Sequence, residues 1–137
     1  MRTQRGSAAI ELTLVTPTLL VLLLFVVFVG RLVQARASVD TAARDAARAA
    51  SIAPGPDLAA TAGQSAASAD LDTGSTTCRQ LTVEVDTADF RLGGTVSATV
   101  TCTVDLGDLG LLSVPATKSI TSTFAEPVDT YENEIAP

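Results

Sequence analysis

Apolar positions fall into three regimes along the chain. From Ser7 to Gly30 almost every position is apolar: 24 residues carry one charge, Glu11, and Leu19–Val29 is unbroken. A helix rises about 1.5 Å per residue, so this stretch reaches about 36 Å against a hydrocarbon core of about 30 Å. The pattern predicts a transmembrane or signal-type helix. After Arg31 the apolar positions thin to a stripe. Leu32, Ala35, Val39, Ala43, Ala46 and Ala50 recur at spacings of three and four, the helical period. Arg36, Asp40, Arg44 and Arg48 step by four along another face, with Asp40 and Arg44 placed as a favourable i,i+4 pair. No Gly or Pro interrupts residues 31–53, so the helix is expected to continue as an amphipathic one. Its stripe is mostly Ala, which lets a sheet or another helix approach closely.

Pro54-Gly55-Pro56 ends that helix and opens a linker. Asp57 is the expected N-cap of a short Ala-rich helix over about 57–68, which Gly63 weakens. Leu71–Thr77 reads as loop. The period then changes to two. Leu81, Val83 and Val85 alternate with Thr82, Glu84 and Asp86; Val96, Ala98, Val100, Cys102 and Val104 alternate with Thr and Ser. Gly93-Gly94 marks the turn between these two strands, Gly107–Pro115 is a Gly- and Leu-rich loop, and Thr117–Phe124 reads as a third strand. The tail from Pro127 to Pro137 is acidic and expected to fray. So small a sheet gains stability from a covering helix, and residues 31–52 are the obvious cover. The expected fold is α+β: a long N-terminal transmembrane and amphipathic helix packed against an antiparallel sheet of about three strands.

Composition narrows the function. The 137 residues suffice for one domain and include no His and no Trp. Without His, the commonest general base and every Ser-His or Cys-His pair are gone. Two Cys alone do not make a four-ligand zinc site, and no Gly-rich phosphate cradle is present. We expect no enzyme, no cofactor, no metal and no small-molecule substrate. Asp57, Asp70, Asp72, Glu84, Asp86, Asp89, Asp105 and Asp108 raise a calcium or two-carboxylate reading, but none falls in an EF-hand pattern. A solvated acidic surface explains them better. The net charge of −6 divides unevenly: six Arg against three acids in residues 1–50, and three bases against twelve acids after that. A basic N-terminal part and an acidic distal part fit a membrane-anchored protein with a solvated outer domain. No stretch joins basic residues with aromatics, so nucleic acid is not an expected partner.

Cys78 and Cys102 are candidates for one disulfide in an oxidising compartment. Register complicates this. Cys102 has the parity of the apolar face of its strand, whereas Cys78 has that of Thr82 and Glu84. A bridge needs Cys78 in the loop ahead of the strand, or a bulge.

The most informative stretch is Arg5-Gly6-Ser7-Ala8-Ala9-Ile10-Glu11-Leu12 and the apolar run behind it. A short basic segment, a Gly, and a hydrophobic helix with Glu five residues after the Gly resemble a prepilin leader. Pro17 within the span, the Gly30-Arg31 exit and the Ala-Arg-Asp-Ala-Ala-Arg-Ala-Ala block extend the likeness to the TadE-like family of pilin-related proteins, over about residues 5–50. The resemblance implies a minor pilin or pseudopilin of a tight-adherence (Flp/Tad) pilus. It implies that prepilin peptidase cuts between Gly6 and Ser7 on the cytoplasmic side, leaving Glu11 as the fifth residue of the mature chain. Implied partners are other pilin subunits, the peptidase and the assembly platform in the membrane. On this reading residues 1–6 are a leader and 7–30 the transmembrane helix. Residues 31–53 continue it as an amphipathic helix, 54–126 form an extracytoplasmic α+β head, and 127–137 are the acidic tail. The protein then sits in the cytoplasmic membrane with its head outside, or in an extracellular pilus.

Physical chemistry gives the motif residues work to do. A carboxylate within a membrane helix costs roughly 2.5–3.5 kcal/mol at the centre and usually has a partner. The functional reading pairs Glu11 with the new α-amine on Ser7 of a neighbouring subunit; the bland one lets Glu11 snorkel to the headgroups. Pro17 removes the helical donor for the Thr13 carbonyl, giving either a kink used in packing or a harmless bend. Three readings compete with the pilin, the least favoured being a membrane-tethered enzyme that uses carboxylates, such as a glycosidase, which the lack of His, the few aromatics and the small sheet disfavour. Ala35-Arg36-Ala37 before Ser38 resembles a signal-peptidase site and would release a secreted domain. An uncleaved single-pass anchor would instead hold a surface binding domain. The flanking bases number two before the span and four after it, which alone favours the N-terminus outside; the leader motif and the cysteines place it inside.

Overall fold

The computed structural model describes residues 4–74, 76–105 and 117–128, with side chains from Ile10 onward. The expected loop at 107–115 and the tail after Val128 lie outside the described residues. The chain divides into two units, Met1–Gln34 and Ala35–Pro137. One helix, α1 (Gln4–Ser51), contributes to both.

In the first unit α1 is uncovered. Every large apolar side chain from Ile10 to Val27 that lies on it is exposed, Leu12 and Leu14 by 70% each. The helix is long and apolar enough to cross a membrane. A helix that is apolar all round and buries none of that surface internally is built for an apolar solvent. The Thr16 and Thr18 hydroxyls donate to the Leu12 and Leu14 carbonyls at 2.6 and 3.3 Å, so their polar atoms are satisfied within the helix. The helix continues through Pro17.

In the second unit two helices cover one face of a three-stranded sheet. The remainder of α1 is followed by α2 (Pro56–Thr73), β1 (Cys78–Asp86), β2 (Thr95–Asp105) and β3 (Thr117–Pro127). The strands pair antiparallel in the order β1-β2-β3. Val83, Val100 and Ser122 share one level; Val85, Ala98 and Phe124 share the next. The covered face is the apolar one: Val96, Ala98, Val100, Cys102 and Val104 of β2 are buried. The opposite face is rich in Thr, and Thr99–Thr123 and Thr101–Thr121 hydroxyl pairs bridge β2 and β3 at 2.9 and 3.1 Å. Such cross-strand pairs each add a few tenths of a kcal/mol or more.

The Ala stripe explains the closeness of the layers. Val39, Ala42, Ala43, Ala46, Ala47 and Ala50 are fully buried. On α2 the buried residues are Ala59, Gly63, Ala67 and Leu71, one per turn. At Gly63 of α2 the layers meet closely. A Cβ there would lie 3.1 Å from the Ala46 carbonyl oxygen of α1 and 2.8 Å from Val85 Cγ2 of β1.

Helix α2 starts earlier and ends later than the pattern suggested. Gly55 is the N-cap, in extended conformation and without a side-chain cap, and Pro56 stands at the first helical position. Pro suits that position because its missing N–H has no partner there anyway. Asp57 therefore lies in the first turn, where a carboxylate faces the positive helix end, and is not the cap. Leu71–Thr73 is helical because Leu71 is buried and extends the apolar stripe; the Gly74 N–H then closes on the Asp70 carbonyl at 3.0 Å.

The β1–β2 connection is built on its glycines. Gly93 has φ +75°, which L side chains avoid. A Cβ on Gly94 would fall 2.0 Å from the Asp89 carbonyl oxygen. The Val128 N–H donates to the Gly94 carbonyl at 2.9 Å, and Val128 packs with Ala50, Ala59 and Val96. Pro127 thus closes β3 and Val128 belongs to the core, so both are part of the folded unit and not of the tail expected from the sequence.

Cys78 and Cys102 form a disulfide, with Cα atoms 5.4 Å apart. The parity conflict is resolved by a bulge: Cys78 pairs with Val104 but Gln80 with Thr103, so one extra residue lies between them. A bulge turns the strand by one residue and brings Cys78 round to the face of Cys102. Such a crosslink is worth roughly 2–4 kcal/mol.

Candidate functional site

The N-terminal motif lies on α1. Gly6 and Ser7 fall within its helical backbone, two and three residues after its start; their side chains lie outside the described set. Glu11 is exposed, and no hydrogen bond or ion pair among the described residues involves it. Around it Ile10 and Leu12 are 66% and 70% exposed. A single carboxylate therefore stands on an otherwise apolar, uncovered helix. It has no partner within the described part of its own chain.

Farther along α1 the charged ladder lies beside β3. Asp40 accepts a hydrogen bond from the Ser122 hydroxyl. The Arg44 guanidinium lies over the Phe124 ring, 4.5 Å from its centroid, a cation–π contact. The expected Asp40–Arg44 pair is thus replaced: each side chain turns to β3 instead. Arg36 shares a cleft with Lys118, and Arg48 one with Glu126. The spacing of four that marks a polar face in the sequence is, in the fold, the border between helix and edge strand.

The acidic residues divide among local tasks. Asp86 accepts the Ala88 N–H at 2.9 Å and so shapes the turn. Asp89 pairs with Arg91 at 2.7 Å and Asp105 with Arg79 at 3.0 Å, both in solvent. Exposed pairs of this kind contribute about 0–1 kcal/mol. Among the described residues no group of three or more His, Cys, Asp or Glu is placed to hold a metal ion.

One acidic contact was not legible in the pattern. Asp70 of α2 faces Asp45 of α1, and one Asp70 carboxyl oxygen is buried without a hydrogen-bond partner. Burial first, and then the hydrogen bond and charge of Asp45, push the Asp70 carboxyl above its usual range. A raised carboxyl binds its proton more tightly in the folded state. Its contribution is therefore full below the ordinary carboxylate pKa of about 4 and is lost as pH rises through the raised value. Asp70→Asn keeps a neutral hydrogen-bonding group there. It is expected to raise the thermal midpoint at neutral pH and to flatten the decline that sets in as pH rises above the ordinary carboxylate value of about 4. Circular dichroism melts of the full chain in micelles measure this; an unchanged decline in the variant would exclude Asp70 as its source.

Comparison with known proteins bears on the N-terminal motif. Residues 6–48 match the family model described as TadE-like protein. Neither the curated proteins nor the solved structures compared include a match to the chain. The matched stretch holds Gly6, Glu11, Pro17 and the ladder from Arg36 to Arg48, while α2 and the sheet lie beyond it. Over this N-terminal segment the chain is similar to the TadE-like family.

Proposed function

We propose that the chain is a minor pilin or pseudopilin subunit of a tight-adherence pilus, cut by prepilin peptidase between Gly6 and Ser7 and assembled through α1. The observation that carries this reading is the uncovered apolar helix with one unpartnered carboxylate, Glu11, five residues after Gly6. An apolar helix surface this long requires lipid or other apolar helices around it. Cleavage creates an α-amine on Ser7, and that amine is a counter-charge for Glu11 of a neighbouring subunit. Pairing in the apolar surroundings of packed helices would set the register between them. The protein then works by assembly and not by catalysis. Its partners are other pilin subunits, the peptidase and the membrane assembly platform, with the second unit on the outer side of the cytoplasmic membrane or on the pilus.

A disulfide-linked head fits that location, since disulfides persist in oxidising compartments. The main competing reading, secretion after a cut at Ala37–Ser38, would discard Ala35, which is buried in the second unit. It would also sever α1 inside that unit. A single-pass anchor for a surface binding domain keeps the helix whole and differs in leaving Gly6–Ser7 uncut.

The intact mass and N-terminal sequence of the protein from its native cells test the proposal. The expected product begins at Ser7. A product beginning at Ser38 would make it a secreted domain and remove any role for Glu11. An uncut chain in the membrane would make it an anchor.

A further inference from the structure

Within the second unit the charges separate by flank. The strand order places β1 and β3 at opposite edges of the sheet. The part of α1 from Ala35 onward lies beside β3, through Asp40 to Ser122 and Arg44 to Phe124. Helix α2 lies over β1, with Gly63 against Val85. The α1–β3 flank carries Arg36, Arg44, Arg48 and Lys118, all exposed, against Asp40 and Glu126. It is basic by two charges. The α2–β1 flank carries Asp57, Asp72, Glu84 and Asp86, all exposed, against Arg79. Arg79 in turn pairs with Asp105 of β2. Asp70 adds to this flank only in part, because burial and Asp45 raise its pKa. Without Asp70 the flank is still acidic by three charges. The two surpluses sit at opposite edges of one sheet, so they do not neutralise each other inside the unit. Between two copies they do.

We propose that the basic α1–β3 flank of one copy docks on the acidic α2–β1 flank of a second copy. Either flank facing itself would set like charges together, so complementarity selects the contact between unlike flanks. Such a contact is heterologous: each copy keeps one free flank of each kind, and the contact repeats along a row. Charge of this sort fixes orientation and speeds encounter more than it adds strength. Exposed pairs are individually weak, so the contact acts where copies are already concentrated, as in one membrane or fibre. The inference deepens the assembly reading proposed above and rests on it for the supply of neighbouring copies. The contact itself involves only the second unit.

Lys118, the only lysine of the chain, makes the contact readable. A water-soluble carbodiimide joins its amine to a carboxylate that touches it. The full chain is purified in micelles from its native cells, half of it labelled with nitrogen-15, and the linked peptides are identified by mass spectrometry. Lys118 is expected to link to the α2 or β1 carboxylates of a copy with the other isotope. In 1 M salt, where the Debye length falls to about 3 Å, the yield should drop about tenfold. Two double variants test the flanks separately. Asp72→Arg with Glu84→Arg neutralises the acidic flank, and Arg36→Gln with Arg48→Gln the basic one. Each alone should lose about tenfold of the links between copies. Mixed, they should regain links in one direction, from Lys118 of the first variant to the acidic flank of the second. Links confined to one copy would overturn the inference. So would links to Asp40 or Glu126 of another copy, or yields unmoved by salt or by both variants. The map and its salt dependence use the unaltered chain, and decide the matter even if a variant fails to fold. The N-terminus of the same protein keeps the two readings apart. A chain beginning at Ser7 without links between copies overturns this contact alone, whereas an uncut chain that still links overturns the pilin reading alone.

Discussion

Gly63→Leu is expected to detach α2 from the layers beneath it and to destabilise the second unit by about 3 kcal/mol, the upper range for overfilling a packed contact. The reason is the position of Gly63 between two elements. An added Cβ meets the Ala46 carbonyl oxygen at 3.1 Å and Val85 Cγ2 at 2.8 Å. The valine methyl is a side-chain atom of a partly buried residue and must shift. The Ala46 carbonyl is helix backbone, flanked by the fully buried Ala43, Ala47 and Ala50, so it has little room to retreat. Gly63→Ala should therefore be mild, because a gain of about 1 kcal/mol in helix propensity offsets the squeeze. A Leu cannot be absorbed in that way, since its branch must enter the space of Ala46 or Val85. Thermal melts of the two variants, with the disulfide intact, separate the alternatives. If Leu is tolerated as well as Ala, Gly63 is only a helix-weakening residue and the tight contact has no energetic weight.

The same glycine shows where the sequence was read well and where it misled. Period told the classes of element apart: the change from three-and-four spacing to two at Leu81 marks the passage from helices to sheet. The Ala stripe from Ala35 to Ala50 foretold a closely covered face, which the buried residues of α1 bear out. Local signals without partners were weaker. Gly63 lowered the expectation of a helix because its propensity is visible in sequence and its neighbour Ala46 is not. Asp57 resembles a cap until Gly55 and Pro56 are seen to start the helix. The bulge at Arg79 has no sequence mark, yet it alone reconciles the two cysteine parities. The ladder Arg36–Asp40–Arg44–Arg48 was legible as a stripe. That β3 lies beside it was not, because the strand is some 80 residues away in the chain, as the 82-residue separation of Asp40 and Ser122 records. For the same reason the Asp45–Asp70 contact and the Arg36–Lys118 cleft emerge only from the fold. The motif at Gly6–Glu11 is the opposite case: it is local, and sequence alone carries it.

Glu11→Ala is expected to leave the chain cut after Gly6 yet keep it out of the pilus. The argument starts from burial. On the proposed reading Glu11 stands in an apolar phase, where an unpaired carboxylate is costly, roughly 2.5–3.5 kcal/mol at the bilayer centre. Nothing among the described residues of its own chain offsets this. Replacing it with Ala relieves that cost, so the variant should enter the membrane at least as well as the parent. What it removes is the counter-charge for the Ser7 amine of the next subunit. An amine left unpaired among packed helices is the expensive half of a broken pair, about 3–5 kcal/mol. Incorporation into sheared pili should then fall by well over about tenfold, with the mature N-terminus still at Ser7. Glu11→Gln keeps the shape and one acceptor without the charge, and should fall between the two. Replacing Gly6 gives the complementary phenotype: an uncut chain that stays in the membrane, with Glu11 present but no new amine to meet it. Immunoblots of sheared pili and membranes, with the N-terminus read by mass, distinguish these cases. Normal amounts of Glu11→Ala in the pili would remove the register role. An uncut Glu11→Ala chain would move Glu11 from assembly to recognition by the peptidase, since the residue would then be needed before any second subunit is present.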